Sequence, residues 1–92
     1  MKTIIYFTAD WCQPCKKVKP IVEELNREHF PGMFQIVDVD IEKEMAKSFE
    51  LKSVPTFVLF KDGKEINRTT GIKTKKELED FINYEEIIQE NI

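Results

Sequence analysis

Trp11-Cys12-Gln13-Pro14-Cys15-Lys16 holds the only two cysteines of the chain, two residues apart, where an apolar run ends and a helical pattern begins. Upstream, Thr3 to Thr8 is β-branched, aromatic and nearly all apolar. That composition predicts a central strand covered on both faces. Downstream, Val18, Ile21, Val22 and Leu25 recur at helical spacing, predicting a helix from Gln13 to His29. Its other face carries Lys16, Lys17, Lys19, Glu23, Glu24 and Arg27. Pro20 lies inside it, removes a backbone donor and is expected to kink the axis. The strand-turn-helix sets both cysteines at a strand's carboxyl end, where α/β sheets usually bind ligands.

Pro31-Gly32 ends the helix, and Phe34 to Val39 reads as a second strand. Asp40 is the expected N-cap of a short helix whose stripe is Ile41, Met45 and Phe49, with Glu42 and Glu44 at its positive end. Lys52-Ser53-Val54-Pro55 breaks that helix, and Thr56 to Phe60 is a third strand. Asp62-Gly63 signals a hairpin into a polar edge strand, Glu65 to Thr70. After the turn at Gly71, Thr74 and Glu77 have capping-box spacing. The last helix then packs Leu78, Phe81 and Ile82, with Ile87 or Ile88 if it runs that far. The order β-α-β-α-β-β-α implies an α/β layered domain.

The 92 residues suffice for one domain, residues 1–92, with a single core. At this size roughly 60–65% of the unfolded chain's surface is buried on folding. Net charge is −3, with lysines and acids interspersed and no basic stripe, which argues against nucleic-acid binding. No apolar stretch approaches the ~18 residues of a membrane span. The start, Met1 to Phe7, is too short in its apolar run for a signal peptide, and Asp10 interrupts the next few residues. A cytoplasmic protein is expected, where a close cysteine pair is catalytic or metal-binding more often than structural.

Disulfide exchange places a definite demand on the pair. A thiolate is the nucleophile, and an ordinary cysteine of pKa ~8.5 is only a few per cent ionised at pH 7. Half-ionisation at neutral pH takes roughly 2 kcal/mol in favour of the anion. A helix N-terminus supplies ~0.3–1 kcal/mol, and ~2 in good geometry. Backbone N–H groups of the first turn and the second thiol must contribute the rest. On this reading Cys12, ahead of the helix body, is the more exposed sulfur and the attacking one. Cys15, one turn on and facing inward, resolves the mixed disulfide. Two alternatives stand beside it. A structural staple across so small a loop is worth only roughly 2 kcal/mol. A zinc site wants four ligands, and the only histidine, His29, falls near the far end of the helix, so no metal is expected.

Ala9-Asp10-Trp11-Cys12-Gln13-Pro14-Cys15-Lys16, Pro20 five residues after Cys15, Val54-Pro55-Thr56 ahead of a strand, the Asp62-Gly63 hairpin and Gly71 together resemble the thioredoxin family over nearly the whole chain. The resemblance implies a thioredoxin fold in minimal form, with a four-stranded mixed sheet flanked by three helices. It implies a cis Val54-Pro55 bond beside Cys12. It also implies that the client's backbone is held on Val54 and contacted near Gly71, a short piece of strand-like pairing. Trp11 would offer the client a flat apolar surface, and Gln13 and Pro14 would shape the loop between the cysteines.

Three departures stand out. The chain is shorter than the family's pattern by an N-terminal strand and helix, closer in length to a glutaredoxin. Gln13 replaces the usual glycine. Tyr6 replaces a commonly buried aspartate, and Ile36 replaces its lysine partner. A phenol titrates near ~10 and cannot act as base near neutrality, so water or the departing client thiolate is expected to take the Cys15 proton.

The implied function is a thiol–disulfide oxidoreductase that reduces client proteins. It would bind no cofactor, draw electrons from NADPH through a separate thioredoxin reductase, and act as a monomer away from membranes. The alternatives are a glutathione-dependent glutaredoxin-type redoxin and a non-catalytic binding module on the same fold.

Overall fold

A computed structural model describes residues 1–84, and the candidate core positions Ile87 and Ile88 lie outside them. The elements are β1 (Lys2–Thr8), α1 (Gln13–Glu24), a π-helical turn (Leu25–His29), β2 (Phe34–Asp38), α2 (Lys43–Ser48), β3 (Thr56–Lys61), β4 (Lys64–Thr70) and α3 (Lys75–Ile82). The sheet order is β2-β1-β3-β4, with β1 parallel to β2 and antiparallel to β3. The apolar β1 is thus central, and Ile4 to Phe7 are all buried.

The strand's alternation divides the core. Ile4 and Tyr6 join Phe57, Leu59, Val18, Val22, Leu78 and Ile82 in one cluster. Ile5, Phe7 and Val58 face the other way, against Met45, Phe49 and Leu51. Each fully buried aliphatic or aromatic side chain is worth roughly 1.5–3 kcal/mol. Asp62 and Gly63 both take positive φ, +51° and +84°, as a two-residue hairpin of matching twist requires. The capping box forms: Thr74 Oγ1 accepts the Glu77 N–H at 3.1 Å, and Glu77 Oε1 accepts the Thr74 N–H at 2.9 Å.

Three expectations need correction. The first helix is α-helical only to Glu24 and then widens. The Phe30 N–H reaches back to the Leu25 carbonyl at 2.7 Å, which frees Asn26 to cap the turn. The Asn26 carbonyl takes the Gly32 N–H, and its side-chain oxygen takes the Phe34 N–H. Asp40 does not cap α2, which starts after Glu42 with no side-chain cap. The Asp38 carbonyl instead accepts from the N–H groups of Ile41 and Glu42, forming a turn. Ile41 therefore precedes the helix rather than lining it, and is 77% exposed.

Candidate active site

The site grows from the end of β1. The Cys12 N–H bonds the Ala9 carbonyl at 3.2 Å, turning the chain into α1. Pro14 occupies the helix's first turn, where a missing N–H costs nothing. Cys12 is the N-cap, and its sulfur accepts the Cys15 N–H at 3.2 Å. The spacing of the motif has this consequence: three residues on from the cap is the position whose N–H a capping atom can reach. The two cysteines form a disulfide, with Cα atoms 5.2 Å apart.

Neither sulfur-bearing residue is open to solvent: Cys12 is 3% exposed and Cys15 2%. The expected difference in exposure, with Cys12 the more open, is therefore only marginal. Both pack with Ala9, Val39 and Val54, and the Val54 carbonyl oxygen lies 3.5 Å from Cys12 Sγ. The Val54-Pro55 peptide bond is cis. The Pro55 carbonyl accepts the Gly71 N–H at 2.9 Å, with Gly71 at φ +92°. Val54 thus meets Cys12 from a distant part of the chain, and Pro55 and Gly71 follow it through the cis bond and the Gly71 hydrogen bond. Gln13 and Pro14 are exposed beside it.

Trp11 is 66% exposed, and its indole Nε1–H donates to Asp40 Oδ2 at 2.8 Å. The carboxylate expected as a helix cap instead holds the ring beside Cys12. The one hint in the sequence is that Asp40 follows β2 at the sheet's carboxyl end. Next to Trp11 runs an apolar groove of about 270 Å3, floored by Val39 and Val54 and walled by Ala46, Lys47, Leu51 and Ser53.

On the opposite side a cleft of about 320 Å3 reaches Cys15 between β1, β2 and α1, and Asp10, Lys16, Lys19 and Asp38 also border it. Tyr6 lies under Cys15, 1% exposed, its ring stacked on Phe57 at 5.0 Å. Its hydroxyl is 3.3 Å from the Cys15 carbonyl and 3.4 Å from Thr8 Oγ1. Burial, with a smaller push from the Glu23 charge, raises this phenol above its ordinary pKa, against a smaller lowering by the Thr8 hydrogen bond. Ile36 pairs with Tyr6 across β1 and β2 and is half exposed. No charged pair therefore occupies these two positions beneath Cys15.

The thioredoxin family model matches residues 1–84. The chain belongs to the thioredoxin family. A thioredoxin of Chlamydia caviae is 40% identical over 80 residues, covering 87% of this chain and 78% of that one. Among solved structures, the Fasciola hepatica thioredoxin superposes with a TM-score of 0.82 at 37% identity, covering 90% of this chain and 79% of that one. The oxidised mitochondrial thioredoxin 3 of Saccharomyces cerevisiae gives 0.79 at 38% identity, covering 89% and 76%. The fold is the thioredoxin fold. The protein is a thiol–disulfide oxidoreductase of the protein-disulfide reductase kind, with the Cys12–Cys15 pair as its redox-active disulfide. Among the described residues no three His, Cys, Asp or Glu side chains cluster as metal ligands. No described helix is long and apolar enough to cross a membrane.

Proposed function

We propose that Cys12 is the nucleophile and Cys15 the resolving thiol of a cytoplasmic, monomeric thioredoxin. The Cys12 thiolate attacks one sulfur of a client disulfide, and the client's other sulfur leaves as a thiolate. Cys15, losing its proton to water or to that thiolate, then attacks Cys12 Sγ. The Cys12–Cys15 disulfide forms, the second client thiolate leaves, and two electrons have passed to the client. NADPH restores the dithiol through a separate flavoprotein thioredoxin reductase, and the domain binds no cofactor itself. The client is a protein segment laid across Trp11, Gln13 and Pro14, with its backbone on Val54 and a further contact near Gly71.

The observation that carries this reading is the hydrogen bond from the Cys15 N–H to Cys12 Sγ. An amide N–H at a helix N-terminus favours the anion on the sulfur it faces, which is Cys12. Trapping tests it: Cys15→Ser should accumulate mixed disulfides with client proteins, and Cys12→Ser should accumulate none. Accumulation on Cys15 in the Cys12→Ser protein would reverse the assignment. Turnover with glutathione but not with thioredoxin reductase would favour the glutaredoxin-type reading. Full biological activity of Cys12→Ser would favour a docking module.

A further inference from the structure

We propose that Arg68, on the outer strand β4, is a positioning residue for client binding: it fixes the end of α2 and thereby the wall of the groove beside Cys12. The inference rests on the proposed client path across Trp11 and Val54, both of which line this groove. Ala46, Lys47 and Leu51 supply most of that wall. They come from α2 and the turn after it, and α2 is six residues long with none buried. Met45 packs it on the Ile5, Phe7 and Val58 cluster, and its C-terminal end is gripped separately.

The grip is on Phe49, the residue that closes α2. Its ring packs on Phe7 at 5.2 Å and edge-on to Phe60 at 5.9 Å. Arg68 opposes Val58 across β3 and β4 and so shares the sheet face that carries Phe7 and Phe49. Its Nη1 donates to the Phe49 carbonyl at 2.9 Å, and its guanidinium carbon lies 5.9 Å from the centre of the Phe49 ring. The remaining edge of the fork holds Glu65 with two hydrogen bonds, of 2.7 and 2.8 Å.

Directly after the gripped carbonyl the chain reverses. Glu50 adopts φ +54°, an uncommon conformation for a residue with a side chain. Its N–H bonds the Lys47 carbonyl at 3.0 Å, and the Leu51 N–H the Ala46 carbonyl at 3.4 Å. The reversal delivers Leu51 into the groove. A carbonyl fixed from β4 at one side of this turn therefore sets where the groove wall lies at the other. Only a planar fork can serve the Glu65 carboxylate, the Phe49 carbonyl and the ring together, which a lysine cannot do.

The test is single-turnover oxidation of the pre-reduced protein by insulin, a protein disulfide, and by hydroxyethyl disulfide, too small to fill the groove. Arg68→Met should raise the half-saturating insulin concentration about fivefold, the scale of one partly exposed charged contact. The limiting rate should stay within about twofold, and the rate with the small disulfide should not change. Arg68→Lys should fail to restore insulin binding although it keeps the charge. Unchanged insulin saturation in both variants overturns the proposal, as does an equal loss with both substrates, which would place the effect on the cysteines or on folding. Should Arg68→Met not fold, Arg68→Lys alone decides by the same two substrates. Leu51→Lys separates the underlying reading: if it leaves insulin saturation unchanged, the groove is not the client's, whatever Arg68 does.

Discussion

Removing the Tyr6 hydroxyl tests how Cys15 loses its proton. Tyr6→Phe keeps the ring stacked on Phe57 and deletes only contacts of 3.3 and 3.4 Å to the Cys15 carbonyl and Thr8 Oγ1. Both exceed the ordinary O–H···O range of about 2.5–3.0 Å, so losing them should cost no more than ~0.5 kcal/mol. Thermal unfolding should fall by only a few degrees. The buried phenol, already raised above its ordinary pKa, has no acidic or basic role near neutrality. The resolving step should then follow the thiolate fraction of Cys15 itself in both proteins. The rate should climb about tenfold per pH unit at every pH below that thiol's pKa. The assay is stopped-flow release of a fluorescent client from a preformed Cys12 mixed disulfide between pH 6 and 9. Superposable profiles for wild type and Tyr6→Phe are expected. A wild-type profile flat across that range, or a slope that changes on losing the hydroxyl, would refute the reasoning. Tyr6→Asp supplies the comparison: a carboxyl at that position should flatten the profile.

Thr74→Ala removes the hydroxyl of the α3 capping box and should cost about 1 kcal/mol, lowering Tm by roughly 4–8 °C in a calorimetric scan. The Lys75–Glu24 pair ties α3 to α1 at 2.7 Å, lowering the Glu24 pKa and raising that of Lys75, chiefly through their mutual hydrogen bond. Glu24 thus contributes stability above its unfolded pKa of ~4.3 that is lost as pH falls through its lower folded value. Lys75 contributes below ~10.4 and loses it as pH rises past its folded value. Lys75→Met should make the acid limb of the urea-midpoint profile shallower between pH 7 and 3, with no change in slope if the pair is inert. Asp40→Ala should leave stability within ~0.5 kcal/mol, shift Trp11 fluorescence, and raise the half-saturating client concentration about threefold.

Where local chemistry decides an element, residues alone located it. Ile4 to Phe7 announced a central strand because burial on both faces leaves no polar alternation. Asp62-Gly63 and Thr74 with Glu77 announced their turn and cap because the backbone needs those residue types at those spacings. The misses share a cause. The start of α2 depended on which N–H groups the Asp38 carbonyl captured, and the π-helical turn on whether Asn26 could cap Phe34 from eight residues away. Cys12 is buried because Val54, forty-two residues on, closes over it. The cysteines, Trp11, Gln13 and Pro14 were legible as a contiguous motif. Val54, Pro55 and Gly71 were reachable only through family likeness, since nothing local links them to Cys12. The Trp11–Asp40 bond had only the position of Asp40 after β2 as a hint, and the Arg68 fork had none, since Arg68, Glu65 and Glu50 read as ordinary polar surface.

Two contacts on Cys12 pull its acidity in opposite directions. The Cys15 N–H, 3.2 Å from the sulfur, favours the thiolate, and the Val54 carbonyl oxygen, 3.5 Å away, favours a thiol that can donate to it. Burial adds to the second side: Cys12 in the disulfide is 3% exposed, and an anion held there would have lost most of its water. The helix N-terminus, worth ~0.3–1 kcal/mol and ~2 at best, must outweigh both before the sulfur is ready at neutral pH. A client backbone N–H arriving at Val54 would occupy that carbonyl and tip the balance toward the anion, so the free protein should be less reactive than the engaged one. Alkylation of the reduced protein by iodoacetamide against pH reads the free value. A Cys12 pKa clearly below ~8.5 means the helix wins unaided. A value at or above it, combined with fast client reduction, would mean that activation arrives with the substrate, and the helix terminus alone would no longer explain the chemistry.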